Sequence, residues 1–275
     1  MIEQNQTAII ISITSDIGTA MANRWIKNGW NIYGTYKTKS KRIDELLDCG
    51  VTLFECDLSN LESVDYCFLE LTKVSINWDV LVFATGTQEP IGPFIDCDFD
   101  EWTNSLFINF INQLRIVRKL LSSRNIENSL GSCVLFFAGG GTNSATKYYS
   151  AYTISKIALI KMCELLSAEI LDIRFSIVGP GWVKTKIHDA TLTAGERAGK
   201  NYEKTKFKLQ SDELTTMKDV LDCCDWLISS PRELISGRNF STVFDKWGTE
   251  ELFEALIRDS DMYKLRRHGN ELLIK

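Results

Sequence analysis

Thr7-Ala8-Ile9-Ile10-Ile11-Ser12-Ile13 is a short β-branched run that closes in polar residues, and from Ile17 to Lys27 the apolar residues recur at helical spacing. Such an apolar run bounded by turn residues reads as a buried strand, and the helical period behind it as the helix it feeds. The alternation continues with a strand near Asn31 to Tyr36, a helix near Arg42 to Asp48, a strand at Val51 to Cys56, a helix at Leu61 to Thr72 and a strand at Asp79 to Phe83. The second half carries a long helix from about Asp100 to Ser123, a strand at Ser132 to Phe137, a helix from about Tyr149 to Leu171 and a strand at Arg174 to Val178. A loop from Pro180 to Asp212 leads to a helix near Leu214 to Ser229 and a last strand at Asn239 to Val243. Strands alternating with helices close right-handed βαβ units on a parallel sheet. The expectation is an α/β fold with a doubly wound parallel sheet in three αβα layers. One domain spans residues 1–247, and a polar helix and tail follow from Gly248 to Lys275.

The chain has 275 residues, enough for a full core in one large domain. A formal net charge of -5 predicts no general affinity for nucleic acid or an anionic membrane. The polar start Met1-Ile2-Glu3-Gln4-Asn5-Gln6 is unlike a secretory signal, and no apolar run is long enough to span a bilayer, so a cytoplasmic protein is expected. Eight scattered cysteines without a Cys-x-x-Cys pair read as buried reduced thiols. With His188 and His268 the only histidines, no metal site is expected.

Two stretches carry chemistry. The turn Ser12-Ile13-Thr14-Ser15-Asp16-Ile17-Gly18 falls at the carboxyl end of the first strand, where open parallel sheets bind ligands. A helix start offers free N–H groups and partial positive charge to a phosphate, and Thr14 and Ser15 add hydroxyls. The plainer reading, that Thr14, Ser15 and Asp16 cap the helix, stands beside it. The second stretch is Tyr148-Tyr149-Ser150-Ala151-Tyr152-Thr153-Ile154-Ser155-Lys156, which puts Tyr152 and Lys156 on one helix face. An ammonium near a phenol favours the phenolate, so that the phenol exchanges a proton with a carbonyl oxygen near neutral pH rather than at its usual ~10. Tyr33/Lys37 and Tyr202/Lys206 repeat the spacing, which therefore carries weight only with its surroundings.

Taken in order, these features resemble the short-chain dehydrogenase/reductase family over roughly Thr7 to Phe244. The resemblance implies a Rossmann-type NAD(P)-binding fold and an oxidoreductase that interconverts a carbonyl and an alcohol by hydride transfer. The family's glycine-rich turn falls on Ser12, Asp16 and Gly18, of which only the last is glycine. Asp57-Leu58 stands where the family holds the adenine ring, and Phe83-Ala84-Thr85-Gly86 where it usually has Asn-Asn-Ala-Gly. Trp102 through Asn109 resembles the helix with the proton-relay asparagine, a role implied for Asn109. Pro180-Gly181-Trp182-Val183-Lys184-Thr185 resembles Pro-Gly-x-Val-x-Thr, whose threonine holds the nicotinamide carboxamide. Tyr152 and Lys156 become the implied acid/base pair, with Lys156 also holding the nicotinamide ribose. The family's substrate-orienting serine falls on Gly139, in Ala138-Gly139-Gly140-Gly141-Thr142. Thr142, Ser144 or a glycine amide is left to replace its hydroxyl.

An acid after the second strand binds the ribose hydroxyl of NAD, whereas a cation accommodates the extra phosphate of NADP. The run Tyr36-Lys37-Thr38-Lys39 favours NADP, with NAD as the alternative. The substrate lid, about 183–212, holds Lys184, Lys186, Arg197, Lys200, Lys204, Lys206 and Lys208 against Asp189, Glu196 and Glu203. That excess suits an anionic small-molecule substrate, and a solvated mobile loop explains it equally. Ile235-Ser236-Gly237-Arg238-Asn239-Phe240-Ser241 with Phe244-Asp245-Lys246-Trp247 resembles a branch associated with bacterial surface-sugar clusters, pointing to a nucleotide-linked sugar. Family members pair the two long helices in a four-helix interface, which implies a homodimer or homotetramer. Arg266, Arg267 and His268 read as a frayed basic terminus or as a reach to a neighbouring subunit. A rival reading is a dinucleotide-binding protein of the same fold that no longer catalyses, acting as a sensor or partner subunit.

Overall fold

Four consecutive residues with no exposed surface, Ala8, Ile9, Ile10 and Ile11, put β1 (Thr7–Ile11) in the middle of a sheet covered on both faces. The computed structural model describes residues 5–74, 76–211 and 213–269. The first residues, Met1 to Gln4, and the tail end through Lys275 lie outside them, as does Asp212 at the close of the expected lid. The remaining strands are β2 (Asn31–Tyr36), β3 (Thr52–Glu55), β4 (Val80–Phe83), β5 (Ser132–Phe137), β6 (Ile173–Gly179) and β7 (Arg238–Ser241). They form one parallel sheet in the order β3-β2-β1-β4-β5-β6-β7, with Ile9 opposite Tyr33 on one side and Leu81 on the other. The doubly wound α/β fold expected from the alternation is the fold observed.

Side chains alternate across the pleat, so β1 feeds two cores. Ala8 and Ile10 pack with Met21, Ala22 and Trp25 of α1 (Asp16–Lys27) and with Val220, Cys224 and Leu227 of α9 (Met217–Ser229). Ile9 and Ile11 pack with Phe68 and Leu71 of α3 (Leu61–Lys73), Ile116 of α5 (Asn112–Leu120) and Leu159 of α6 (Ser150–Glu169). Each large apolar side chain so buried contributes roughly 1.5–3 kcal/mol, which fixes the three layers. Chain order reverses between β1 and β4, and that opens a crevice at their carboxyl ends.

Two stretches differ from expectation. The long helix from Asp100 to Ser123 is α4 (Phe99–Leu106), a wide π turn at Phe107–Ile111, and then α5 with a tight last turn. Asn109 sits fully buried in the π turn, a conformation proteins place at functional sites. The loop from Pro180 is largely helical, with a 3-10 turn at Lys186–His188, α7 (Asp189–Ala194) and α8 (Lys200–Gln210). Its apolar positions Ala190, Ala194, Ala198 and Tyr202 recur every four residues and cover Ile91, Tyr149 and Tyr152. Alanines carry a helical period too faintly for a hydrophobic-pattern reading to find it. Two short helices join this set in chain order, α2 (Lys41–Asp48) and α10 (Arg232–Ile235).

The segment after α11 (Glu250–Arg258) is tied down, not frayed, as far as Arg266. Met262 and Tyr263 pack on the α1/α9 core, and the Asn239 N–H of β7 donates to the Tyr263 carbonyl at 2.9 Å. Arg266 pairs with Glu164 of α6 at 2.8 Å and with Asp261 at 2.7 Å. Six cysteines are buried free thiols, whereas Cys49 is exposed and Cys97 half-buried. Among the described residues no helix is long and apolar enough to cross a membrane, and no group of three or more His, Cys, Asp or Glu side chains is arranged to hold a metal.

Candidate active site

Ser15 caps α1: its Oγ accepts the Gly18 N–H at 3.1 Å, so the capping reading belongs to Ser15 and not to Asp16. Ser12 stands where the family has glycine and takes a left-handed conformation, with φ 61°. That backbone costs a residue with a Cβ about 1 kcal/mol or more. Two hydroxyls offset the cost: the Ser12 N–H donates to Thr35 Oγ1 at 3.0 Å, and Ser12 Oγ shares a 2.8 Å hydrogen bond with Thr85 Oγ1. A Cβ on Gly18 would lie 2.8 Å from the Ser12 carbonyl oxygen and 2.9 Å from Ser15 Oγ. Gly18→Ala is therefore expected to cost about 1–3 kcal/mol in urea unfolding and to weaken dinucleotide binding. Wild-type values for both would remove the close-approach argument.

Asp16 bridges three segments. Its Oδ1 pairs with Arg42 of α2 at 2.6 Å, and its Oδ2 accepts the Lys186 N–H at 2.7 Å. Arg42 also donates to the Thr14 carbonyl at 2.8 Å. Partial burial pushes the Asp16 carboxyl up, but the Lys186 N–H and the Arg42 guanidinium together hold it below the ordinary aspartate value.

A cleft of about 470 Å³ opens at the crevice. Ser12, Ser15, Ala84, Thr85 and Gly86 line it from β1 and β4, and Lys37, Asp57 and Leu58 from β2 and β3. Lys37 reaches Asp57 at 3.1 Å. Partial burial raises the Asp57 carboxyl, yet hydrogen bonds from Ser59 and the Lys37 ammonium hold it below its usual range. The far end is walled by Glu89, Glu101 and Asn104, which the sequence reading passed over. Nothing in their spacing marks them, because the cleft gathers them from a loop and from α4.

Tyr152 and Lys156 lie on α6 as expected, but neither lines the cleft, and both are buried. Lys156 Nζ donates to the Phe137 carbonyl at 2.8 Å and the Thr85 carbonyl at 3.3 Å, 5.9 Å from the Tyr152 ring centroid. Asn109 Oδ1 accepts the Thr87 N–H and its Nδ2 donates to the Thr87 carbonyl, both at 2.9 Å, pinning the chain beyond Gly86. Burial pushes the Tyr152 phenol up to about 12 and the Lys156 amine down to about 8. The expected depression of the phenol is thus absent in this conformation, where loss of solvent raises it. The hydroxyl rests on the backbone: a Cβ on Gly139 would stand 2.5 Å from Tyr152 Oη.

An unfolded lysine titrates near 10.5, so between about 8 and 10.5 the unfolded chain binds a proton that folded Lys156 lacks, and this site adds stability as pH rises. Measured against Lys156→Met, the wild type is expected to gain on the order of 2 kcal/mol between about pH 7 and about pH 10. Urea titrations at stepped pH check it, and a flat difference would refute the burial of a titrating amine.

Residues 12–242 match the family model described as Enoyl-(Acyl carrier protein) reductase. The chain belongs to the short-chain dehydrogenase/reductase family. It is 24% identical over 241 residues to 3-oxoacyl-[acyl-carrier-protein] reductase FabG of Buchnera aphidicola, covering 84% of this chain and 93% of that one. Dehydrogenase/reductase SDR family member 4 of Sus scrofa is 22% identical over 242 residues, covering 85% and 84%. Among solved structures, 4-hydroxyisoleucine dehydrogenase complexed with NADH superposes with a TM-score of 0.73 at 23% identity, over 86% of this chain and 96% of that one. An actinorhodin polyketide ketoreductase variant with NADPH gives 0.72 at 17%, over 86% and 95%.

In this short-chain dehydrogenase/reductase the remaining expected positions are spread out. Ile17 is partly buried against the α1/α9 core, and Val183 packs fully into it. Tyr36 ends β2 half-buried. Pro180 and Gly181 follow β6, and Thr185 precedes the 3-10 turn that Asp16 holds. The lid cations face outward: Lys184, Lys186, Lys200, Lys204 and Lys206 are exposed, and Lys208 pairs with Glu213 at 2.8 Å. None lines the cleft.

Proposed function

We propose that the chain is an NAD(P)-dependent oxidoreductase interconverting a carbonyl and an alcohol, with Tyr152, Lys156 and Asn109 as its working groups. The observation that carries this reading is Lys156, a buried amine held by the chain ends of β4 and β5 beside Tyr152, one strand over from the β1/β4 reversal. The residues suit a dinucleotide: the turn packs too tightly on Gly18 to admit a Cβ, and the cleft joins Ser12 and Ser15 of that turn to Lys37 and Asp57. A bound nicotinamide would supply or accept the hydride. The protein's share is to hold a proton at Tyr152 Oη, to grip the ribose through Lys156 once the carbonyls release it, and to relay protons past Asn109. Lys37 favours NADP, and the lid's seven cations against four acids favour an anionic substrate drawn by field rather than contact, a nucleotide-linked sugar first. Exposed Phe107, Ile154 and Leu165 on the long helices support a homodimer or homotetramer.

Titration with NADPH and, separately, NADH, followed by energy transfer from tryptophan to the nicotinamide, tests the reading. NADPH is expected to bind at least about tenfold tighter, and Lys37→Glu to cancel the preference. No binding of either at millimolar concentration sinks it. The second reading, a dinucleotide binder without catalysis, draws on one contact: with Gly139 in place of a serine, Tyr152 settles against the backbone with its phenol near 12.

A further inference from the structure

The Asp16 carboxylate occupies the start of α1, where its family has glycine, and its two oxygens take a guanidinium and a backbone N–H. Those are the partners that phosphate oxygens take, and a helix start is the place where they take them. The Asp16 side chain is only 17% exposed and its pair with Arg42 is part-buried, while the Lys186 N–H reaches it from the exposed side. It also links distant parts of the chain. Lys186 follows Thr185 and begins the helical lid, while Arg42 fixes the Thr14 carbonyl of the phosphate turn. We propose that Asp16 is an internal stand-in for phosphate. Without ligand it latches residues 185–188 to the phosphate turn. An entering pyrophosphate competes for Arg42 and the Lys186 N–H, and the lid base is released as the ligand binds. The proposal rests on the reading that the cleft takes a dinucleotide. It makes affinity the balance of an exchange, and it couples the lid to the phosphate turn through one side chain.

The test compares the full-length wild type with Asp16→Asn, which keeps the shape and removes the charge, and with Asp16→Gly, which restores the family residue. Amide hydrogen exchange over residues 184–188 is read without ligand, and NADPH and inorganic pyrophosphate are then titrated. The latch predicts exchange at Lys186 to His188 at least about tenfold faster in both variants and NADPH bound about tenfold tighter. Unchanged exchange overturns the latch. Faster exchange with unchanged or weaker NADPH binding makes Asp16 a structural tie and overturns the competition. If NADPH binds none of the three proteins, the dinucleotide reading falls. Pyrophosphate then decides alone: it should bind the variants about tenfold tighter than the wild type, and equal binding overturns the stand-in.

Discussion

Tyr152→Phe is expected to cut turnover by roughly 10²–10⁴-fold while leaving NADPH affinity within about twofold. The ring is buried and contributes packing to Ile91, Tyr149, Ala194 and Ala198, which phenylalanine preserves. Its hydroxyl has no hydrogen-bond partner among the described residues, so removing it leaves no group unsatisfied and costs little stability. The lost function is then proton transfer and not folding, and equal melting temperatures for the two proteins would establish that. Retained turnover with any carbonyl substrate would show that another group supplies the proton, and would favour a free glycine amide near Gly139 as the polarising donor. The phenol pushed up to about 12 adds a second expectation: before ligand binds, tyrosinate absorbance should not develop at Tyr152 below about pH 11.

The largest effect on stability is expected from Arg174→Met. Arg174 opens β6 with 2% of its surface exposed and serves three carbonyls, those of Gly131, Ile228 and Ser230. It closes the C-terminal end of α9 onto the sheet, where a helix leaves carbonyls without partners. Methionine fills similar space and donates nothing. Each buried carbonyl left unpaired costs about 1–3 kcal/mol, so the variant should lose at least about 3 kcal/mol, or about 10 °C in Tm. A loss below about 1 kcal/mol in urea unfolding would show that the end of α9 relaxes to water and that Arg174 is dispensable. The cleft should bind dinucleotide unchanged in protein that remains folded, since Arg174 lies at the opposite end of β6 from Pro180.

The alternation from β1 to β7 was legible because it is local: β-branched runs such as Thr7 to Ile11 and Ser132 to Phe137 declare buried strands, and helical periods follow them. Tyr152 and Lys156 were legible for the same reason, as four residues of one helix fix their common face. The lid helices escaped notice because alanine at 190, 194 and 198 barely registers as apolar, although tight packing requires it. The π turn at Phe107–Ile111 escaped notice because it depends on Asn109 finding Thr87, 22 residues away.

The sequence by itself determined the type of the strands and helices and their order along the chain. Tertiary structure alone decided what the site residues do at rest. Gly139 lets Tyr152 settle against the chain, burial drives the phenol up and the Lys156 amine down, and Asp16 is drawn to Arg42 and the lid. The physical reason is that desolvation and charge pairing depend on distance in space, and neighbours in space are fixed only once the sheet has closed.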